Sequence, residues 1–107
     1  MRRSQSEVVS PPVLATARHL ASLVKQARLA RNWSQADLAE RARISSPTVQ
    51  RIEQGAVTAA LGAWLAVFER LGLLDRLGEI RDPASEALLN ETRSKRGGRR
   101  RADELDF

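Results

Sequence analysis

The chain contains no cysteine, no tyrosine and a single histidine, His19, and only 4% of its residues are aromatic. Without cysteine there can be no disulfide framework, zinc knuckle, iron–sulfur cluster or thiol nucleophile. One histidine and no phosphate-cradling glycine-rich loop leave no nucleophile–base pair or metal constellation to assemble, so the expectation is a non-enzyme with no cofactor, metal or small-molecule ligand. Long apolar runs are missing too. No stretch approaches the roughly 18 residues of a membrane span, and the opening MRRSQSEVVSPPVL lacks the apolar run of a signal peptide. A cytoplasmic protein without membrane contact is therefore expected. A length of 107 residues leaves room for one small domain plus tails.

What the chain does have is positive charge, and that charge is unevenly placed. Lys and Arg number 18 against 13 Asp and Glu, a net charge of +5. Residues 1–31 hold most of the excess, with Arg2, Arg3, Arg18, Lys25, Arg28 and Arg31 against Glu7 alone. The middle of the chain is nearly neutral. Toward the end, Arg93, Lys95, Arg96, Arg99, Arg100 and Arg101 precede Asp103, Glu104 and Asp106. A basic balance invites a nucleic-acid reading, but the total says nothing about where contacts lie.

Periodicity predicts an all-α class. Residues 1–12 read as a flexible arm, because Ser, Gln and the Pro11–Pro12 pair bury little and the prolines block a helix from extending backwards. From Val13, apolar Leu20, Leu23, Val24 and Ala27 recur at helical spacing. Ser34 followed by Asp37 signals a capped helix over about residues 35–42, Arg43-Ile44-Ser45 a tight turn, and Ser45 or Ser46 with Pro47 a further helix ending at Gly55. Thr58 is the expected cap of a fourth helix with Leu61, Trp64, Leu65, Phe68 and Leu71 on one stripe. Leu73, Leu74, Leu77 and Ile80 suggest a fifth. No window alternates long enough to predict a strand. Residues 13–81 thus form the expected domain, and residues 82–107 a polar, basic tail expected to be disordered in isolation, in which SEALLNETRS has helical character and KRGGRRR resists compaction.

The informative segment is SQADLAERARISSPTVQRIEQG, residues 34–55: two short helices joined by a tight turn, the geometry of a helix-turn-helix. Ala36, Leu38, Ala39, Ile44, Val49 and Ile52 are expected inside. Ser46, Pro47, Thr48, Gln50, Arg51 and Gln54 are left outward on the second helix, and among them Gln suits adenine and Arg suits guanine. Trp33 and Trp64 sit at apolar phases and are expected in the core. His19 reads as an ordinary surface residue. Arg43, beside the second helix, is a candidate phosphate contact.

Over about residues 20–80 the chain resembles the lambda-repressor/Cro-like (Xre-type) helix-turn-helix family. The residues carrying the resemblance are Arg28, Trp33-Ser34-Gln35, Leu38-Ala39, Ile44-Ser45 and Ile52-Glu53-Gln54-Gly55. It implies a compact five-helix lambda-repressor-like domain with a flexible N-terminal arm and a polar C-terminal tail. It also implies Gln35, Ser45 and Gln54 as phosphate contacts, Ser46, Pro47, Thr48, Gln50 and Arg51 as the base-reading face, and Arg28 with Glu53 as a structural salt bridge. Arg43 departs from the family's usual glycine in this turn, at a cost on the order of 1 kcal/mol.

Such domains read two half-sites as a homodimer on a palindromic double-stranded operator. Leu73, Leu74, Leu77 and Ile80, more apolar residues than a short helix needs, are the expected dimer contact. The stretch AALGAWLAVFERLGLLDRLGEI with its basic tail also resembles the HipB-like antitoxins, repressors of their own operon that hold a HipA-type kinase-like toxin. The implied function is a DNA-binding transcriptional regulator, associated with the nucleoid when on DNA, in an autorepressing toxin–antitoxin operon. Alternatives are a stand-alone repressor of the same type and a protein–protein adaptor on the same fold.

Overall fold

Helix starts and stops in this chain are set by a few capping residues, and their positions decide which faces meet. The structure is a computed structural model that describes residues 9–104, with side chains through residue 97. It contains six helices and no strand among the described residues: α1 (Pro11–Ala30), α2 (Gln35–Ala42), α3 (Ser46–Glu53), α4 (Leu61–Arg70), α5 (Leu74–Gly78) and α6 (Pro83–Glu104). The all-α class therefore holds, while the count exceeds the expected five.

Pro11 and Pro12 lie inside the first turn of α1, where the missing N–H groups have no helical partner to lose, so α1 begins two residues earlier than predicted. The rest of the expected arm, residues 1–8, lies outside the described residues. Ala21, Val24 and Arg28 form the buried stripe of α1, whereas Leu23, expected with them, is 37% exposed. A stripe at positions i, i+3 and i+7 leaves position i+2 on the flank.

Ser34 and Asp37 close a reciprocal capping box on α2. The Ser34 hydroxyl accepts from the Asp37 N–H at 3.0 Å, and the Ser34 N–H donates to the Asp37 carboxylate at 2.8 Å. The Ser34 N–H, followed by the Ser34 hydroxyl beside the carboxylate, holds the Asp37 carboxyl below the usual carboxylate range. Leu38, Ala39 and Ala42 are buried. Ala36, expected inside, is exposed, because α2 buries one side only and Ala36 falls opposite it.

Arg43 ends α2 in the left-handed region, at φ 57° and ψ 43°, and there the Ile44 N–H bonds the Ala39 carbonyl at 3.0 Å. Ser45 then caps α3 by accepting from the Thr48 N–H at 3.2 Å. α3 buries Val49 and Ile52 and stops at Gly55, φ 79°. A Cβ on Gly55 would also come within 3.3 Å of the Arg18 backbone, so glycine there lets the end of α3 close against α1.

Thr58 does not cap α4. Its hydroxyl accepts from Arg51 at 2.7 Å instead, and α4 starts after Ala60 without a side-chain cap. Leu61, at that uncapped start, is 71% exposed although its phase was expected to face the core. Val67, Phe68 and Leu71 complete a core with Val24, Leu38, Val49 and Ile52, so α1, α2, α3 and α4 enclose one cluster. Both tryptophans pack partly buried against it.

The largest departure from expectation is α6. Residues 83–104 are helical rather than disordered: Pro83 opens the helix, Asp82 accepts from the Ala84 N–H and the Ser85 hydroxyl, and Lys95 pairs with Glu91 one turn away. The helix over SEALLNETRS agrees with its composition, and the departure is its continuation through the paired glycines and the arginine run. The helix stands off the domain, with Leu88 and Leu89 more than half exposed. The radius of gyration is accordingly 20.7 Å, against about 13 Å for a compact chain of this length. A helix without a buried face is held by local bonds alone. Amide exchange is expected to be fast throughout α6 and slow at Val24, Leu38, Val49, Ile52 and Val67; comparable protection in α6 would show a packed face instead.

Candidate nucleic-acid interface

Arg28 of α1 and Glu53 of α3 meet beneath the outer face of α3. Arg28 Nε donates to Glu53 Oε2 at 2.7 Å and Nη2 to Oε1 at 3.0 Å, a two-pronged pair, while Nη1 donates to the Trp33 carbonyl at 2.8 Å. Their side chains are 9% and 4% exposed. The hydrogen bonds to Glu53 raise the Arg28 pKa, burial opposes that rise, and the charge of Glu53 adds to it. One guanidinium thus ties α1, the α1–α2 connection and the C-terminal end of α3 together.

Gln35, the first residue of α2, joins this joint from outside: its amide Nε2 donates to Glu53 Oε1 at 3.3 Å. Gln50 and Gln54 are exposed on and just beyond α3. Gln35, Gln50 and Gln54 line one open cleft of about 390 Å³ together with Arg28, Glu53 and Lys25. The structure therefore brings two of the candidate phosphate contacts, Gln35 and Gln54, to one side of a candidate base-reading residue.

The other candidates lie elsewhere or are already engaged. Ser46 and Thr48 are half-buried and Pro47 is exposed on the first turn of α3. The Thr48 hydroxyl shares a 2.7 Å hydrogen bond with that of Ser45, so both hydroxyls serve the cap. Arg51 is exposed, and its Nη2 is held by Thr58. Arg43 is exposed at the turn, away from the Gln35–Gln54 cleft. Two further residues have roles here that the sequence does not announce. Thr58 steers Arg51, and nothing local marks it. Lys25 lines the cleft, and its spacing of three from Arg28 could have placed it there.

The electrostatics of the α2–α3 pair differ from its sequence count. Arg41, Arg43 and Arg51 balance Asp37, Glu40 and Glu53 in the sequence. Glu53, however, is neutralised below the surface by Arg28, which belongs to α1, so the outward face of α2 and α3 carries a small positive excess. Arg41 stacks on the Trp33 ring with its guanidinium carbon 4.3 Å from the centroid, and Arg31 lies at 5.7 Å. Neither tryptophan offers a free stacking surface: Trp64 donates to the Ala56 carbonyl and stacks on Phe68 at 6.3 Å.

Of the expected dimer residues, Leu73 and Leu77 pack on the core and Leu74 is half-buried, while Ile80 is 77% exposed. No helix among the described residues is long and apolar enough to cross a membrane.

Comparison with known proteins is consistent with this geometry. A family model described as a helix-turn-helix domain matches residues 19–79, which span α1 from His19 through α5. No curated protein and no solved structure matches the chain.

Removing one partner of the buried pair leaves the other charge uncompensated, which costs about 3–5 kcal/mol. Glu53→Ala is expected to lose that much in urea unfolding. Replacing both, Arg28→Met with Glu53→Leu, is expected to cost well under the sum of the single changes. Additive losses would show that the two side chains act independently.

Proposed function

The chain belongs to the helix-turn-helix domain family, and from that premise we propose that it is a sequence-specific regulator of transcription that binds double-stranded DNA with α3 in the major groove and performs no catalysis. The observation that carries this reading is the placement of Gln35, at the start of α2, beside Gln50 and Gln54, on and just beyond α3, around one cleft over the buried pair. In the proposed pose Gln35 and Gln54 bond backbone phosphates, which set the register. Gln50, Arg51 and the exposed Pro47 meet base edges. Ser46 and the one hydroxyl hydrogen left over from the Ser45–Thr48 pair are further donors at the first turn of α3, and Arg43 reaches the backbone near the turn.

One α3 offers few base contacts, so the reading includes a homodimer on a palindromic operator with half-sites about 34 Å apart. Ile80 and Leu74 are the part of the expected contact not already spent on the core. Beside them an apolar cleft of about 440 Å³, with Leu77, Leu61 and Val13 among its walls, extends that surface toward α1.

One observation favours the antitoxin form over a stand-alone repressor: α6 projects from the domain with Leu88 and Leu89 uncovered, a shape suited to holding a second protein. In this form the partner is a kinase-like toxin encoded in the same operon. The adaptor alternative shares the fold without the DNA contacts.

DNA binding is tested by fluorescence anisotropy on a duplex selected from a random library. Affinity is expected to fall with salt at a log–log slope near −0.9 per phosphate contacted. Gln50→Ala is expected to cost about 1–3 kcal/mol more on the selected duplex than on a scrambled one. Salt-independent association would favour the adaptor, and equal losses on both duplexes would make Gln50 a backbone contact rather than a base reader. For the dimer, Ile80→Glu is expected to halve the sedimentation mass of the wild type at the same concentration; an unchanged dimer would move the contact elsewhere.

A further inference from the structure

Lys25 precedes Arg28 by three residues on α1, which brings both to the side of that helix that faces α3. It forms one wall of the cleft above the Arg28–Glu53 pair, opposite Gln50 and Gln54. Both carboxylate oxygens inside are engaged: Glu53 Oε2 accepts from Arg28 Nε, and Oε1 accepts from Arg28 Nη2 and Gln35 Nε2. As a unit the pair is neutral, so the net charge of the cleft is that of Lys25. Among the described residues no carboxylate forms an ion pair with Lys25.

The remaining polar groups of the cleft are the amides of Gln35, Gln50 and Gln54, each carrying two N–H donors, of which Gln35 has committed one. A concave site with one unpaired ammonium, several amide donors and its carboxylate neutralised by a two-pronged guanidinium suits an anion. A cation finds no open acceptor of opposite charge there, and a planar apolar ligand finds no aromatic wall. Gln50 belongs both to this cleft and to the outward face of α3, so an anion held here lies beside whatever α3 contacts.

We propose that the cleft of Lys25, Gln35, Gln50 and Gln54 is a binding subsite for one phosphate of the DNA backbone, with Lys25 as its cation. The inference rests on the DNA-binding reading above and adds α1 to the interface. Lys25 sets affinity without choosing a sequence, because a phosphate presents the same charge at every base pair. Gln50 divides its two amide hydrogens between this phosphate and a base edge, which couples backbone register to base reading.

The experiment compares wild type, Lys25→Gln and Lys25→Arg by anisotropy on the selected duplex and on a scrambled duplex at 50 and 200 mM salt. Lys25→Gln is expected to bind both duplexes more weakly by the same factor. Its log–log salt slope should be shallower by about 0.9, so that the wild type loses about 3.5-fold more affinity than this variant across the fourfold salt change. Lys25→Arg should keep the wild-type slope. Thermal unfolding of Lys25→Gln should match the wild type, since the side chain is exposed. An unchanged slope in Lys25→Gln, with the wild type still binding, overturns the subsite alone. A loss confined to the selected duplex also overturns it and makes Lys25 a base contact. Absence of binding by the wild type overturns both the subsite and the DNA-binding reading.

Discussion

The buried pair between Arg28 and Glu53 is the constraint on which the rest of the domain depends. α2 and α3 are eight residues each, too short to be stable alone in water, and α3 contributes only Val49 and Ile52 to the fully buried core. Apolar packing of two side chains fixes where α3 lies but leaves its rotation about its own axis weakly specified. The two-pronged bond at the C-terminal end of α3, and the third arm of Arg28 on the Trp33 carbonyl, remove that freedom. An ion pair buried this deeply contributes little net stability against an apolar replacement, and its value here is geometric.

The same interaction shapes the charge of the outer surface. Because the partner of Glu53 comes from α1, the α2–α3 unit presents its arginines without one of its acids, and a sequence-neutral segment becomes mildly electropositive on the side that faces outward. The cleft above the pair inherits a neutralised carboxylate and a lysine from the same helix as Arg28. The stabilising contact and the proposed binding surface are two sides of one arrangement. A stable joint beneath and donors above lets short helices present side chains without reorganising on binding.

Local signals made most of the domain legible in the sequence. Ser34 with Asp37, Ser45 with Pro47, and Gly55 are caps and stops whose chemistry acts within four residues, and the helices begin and end beside them. Features that depend on distant partners were less visible. Thr58 reads as a cap because nothing nearby shows that Arg51 bonds it, and Leu23, Leu61 and Ala36 are apolar side chains for which distant packing decides which phase of the helix is buried. Lys25 escaped notice because a lysine on an amphipathic helix ordinarily means a solvated face, and its neighbours across the cleft come from residues 35–54. In α6 the composition of residues 95–101 argued for disorder, while Asp82, Pro83 and Glu86 at its start carry ordinary helix-initiating chemistry. The resemblance named Arg28 and Glu53 together, and no rule of spacing alone would have joined residues 25 positions apart.

The central claim is that the face of α2 and α3 above the buried pair is the surface that meets DNA. Backbone amide and glutamine side-chain chemical shifts, followed by two-dimensional NMR while a selected duplex is titrated in, test it directly. The expected result is a set of shifts confined to Lys25, Gln35, Arg43, residues 45–54 and their immediate neighbours, with the Gln35, Gln50 and Gln54 side-chain amides among the largest. Shifts concentrated on α4 and α5, with those three amides unmoved, would contradict it.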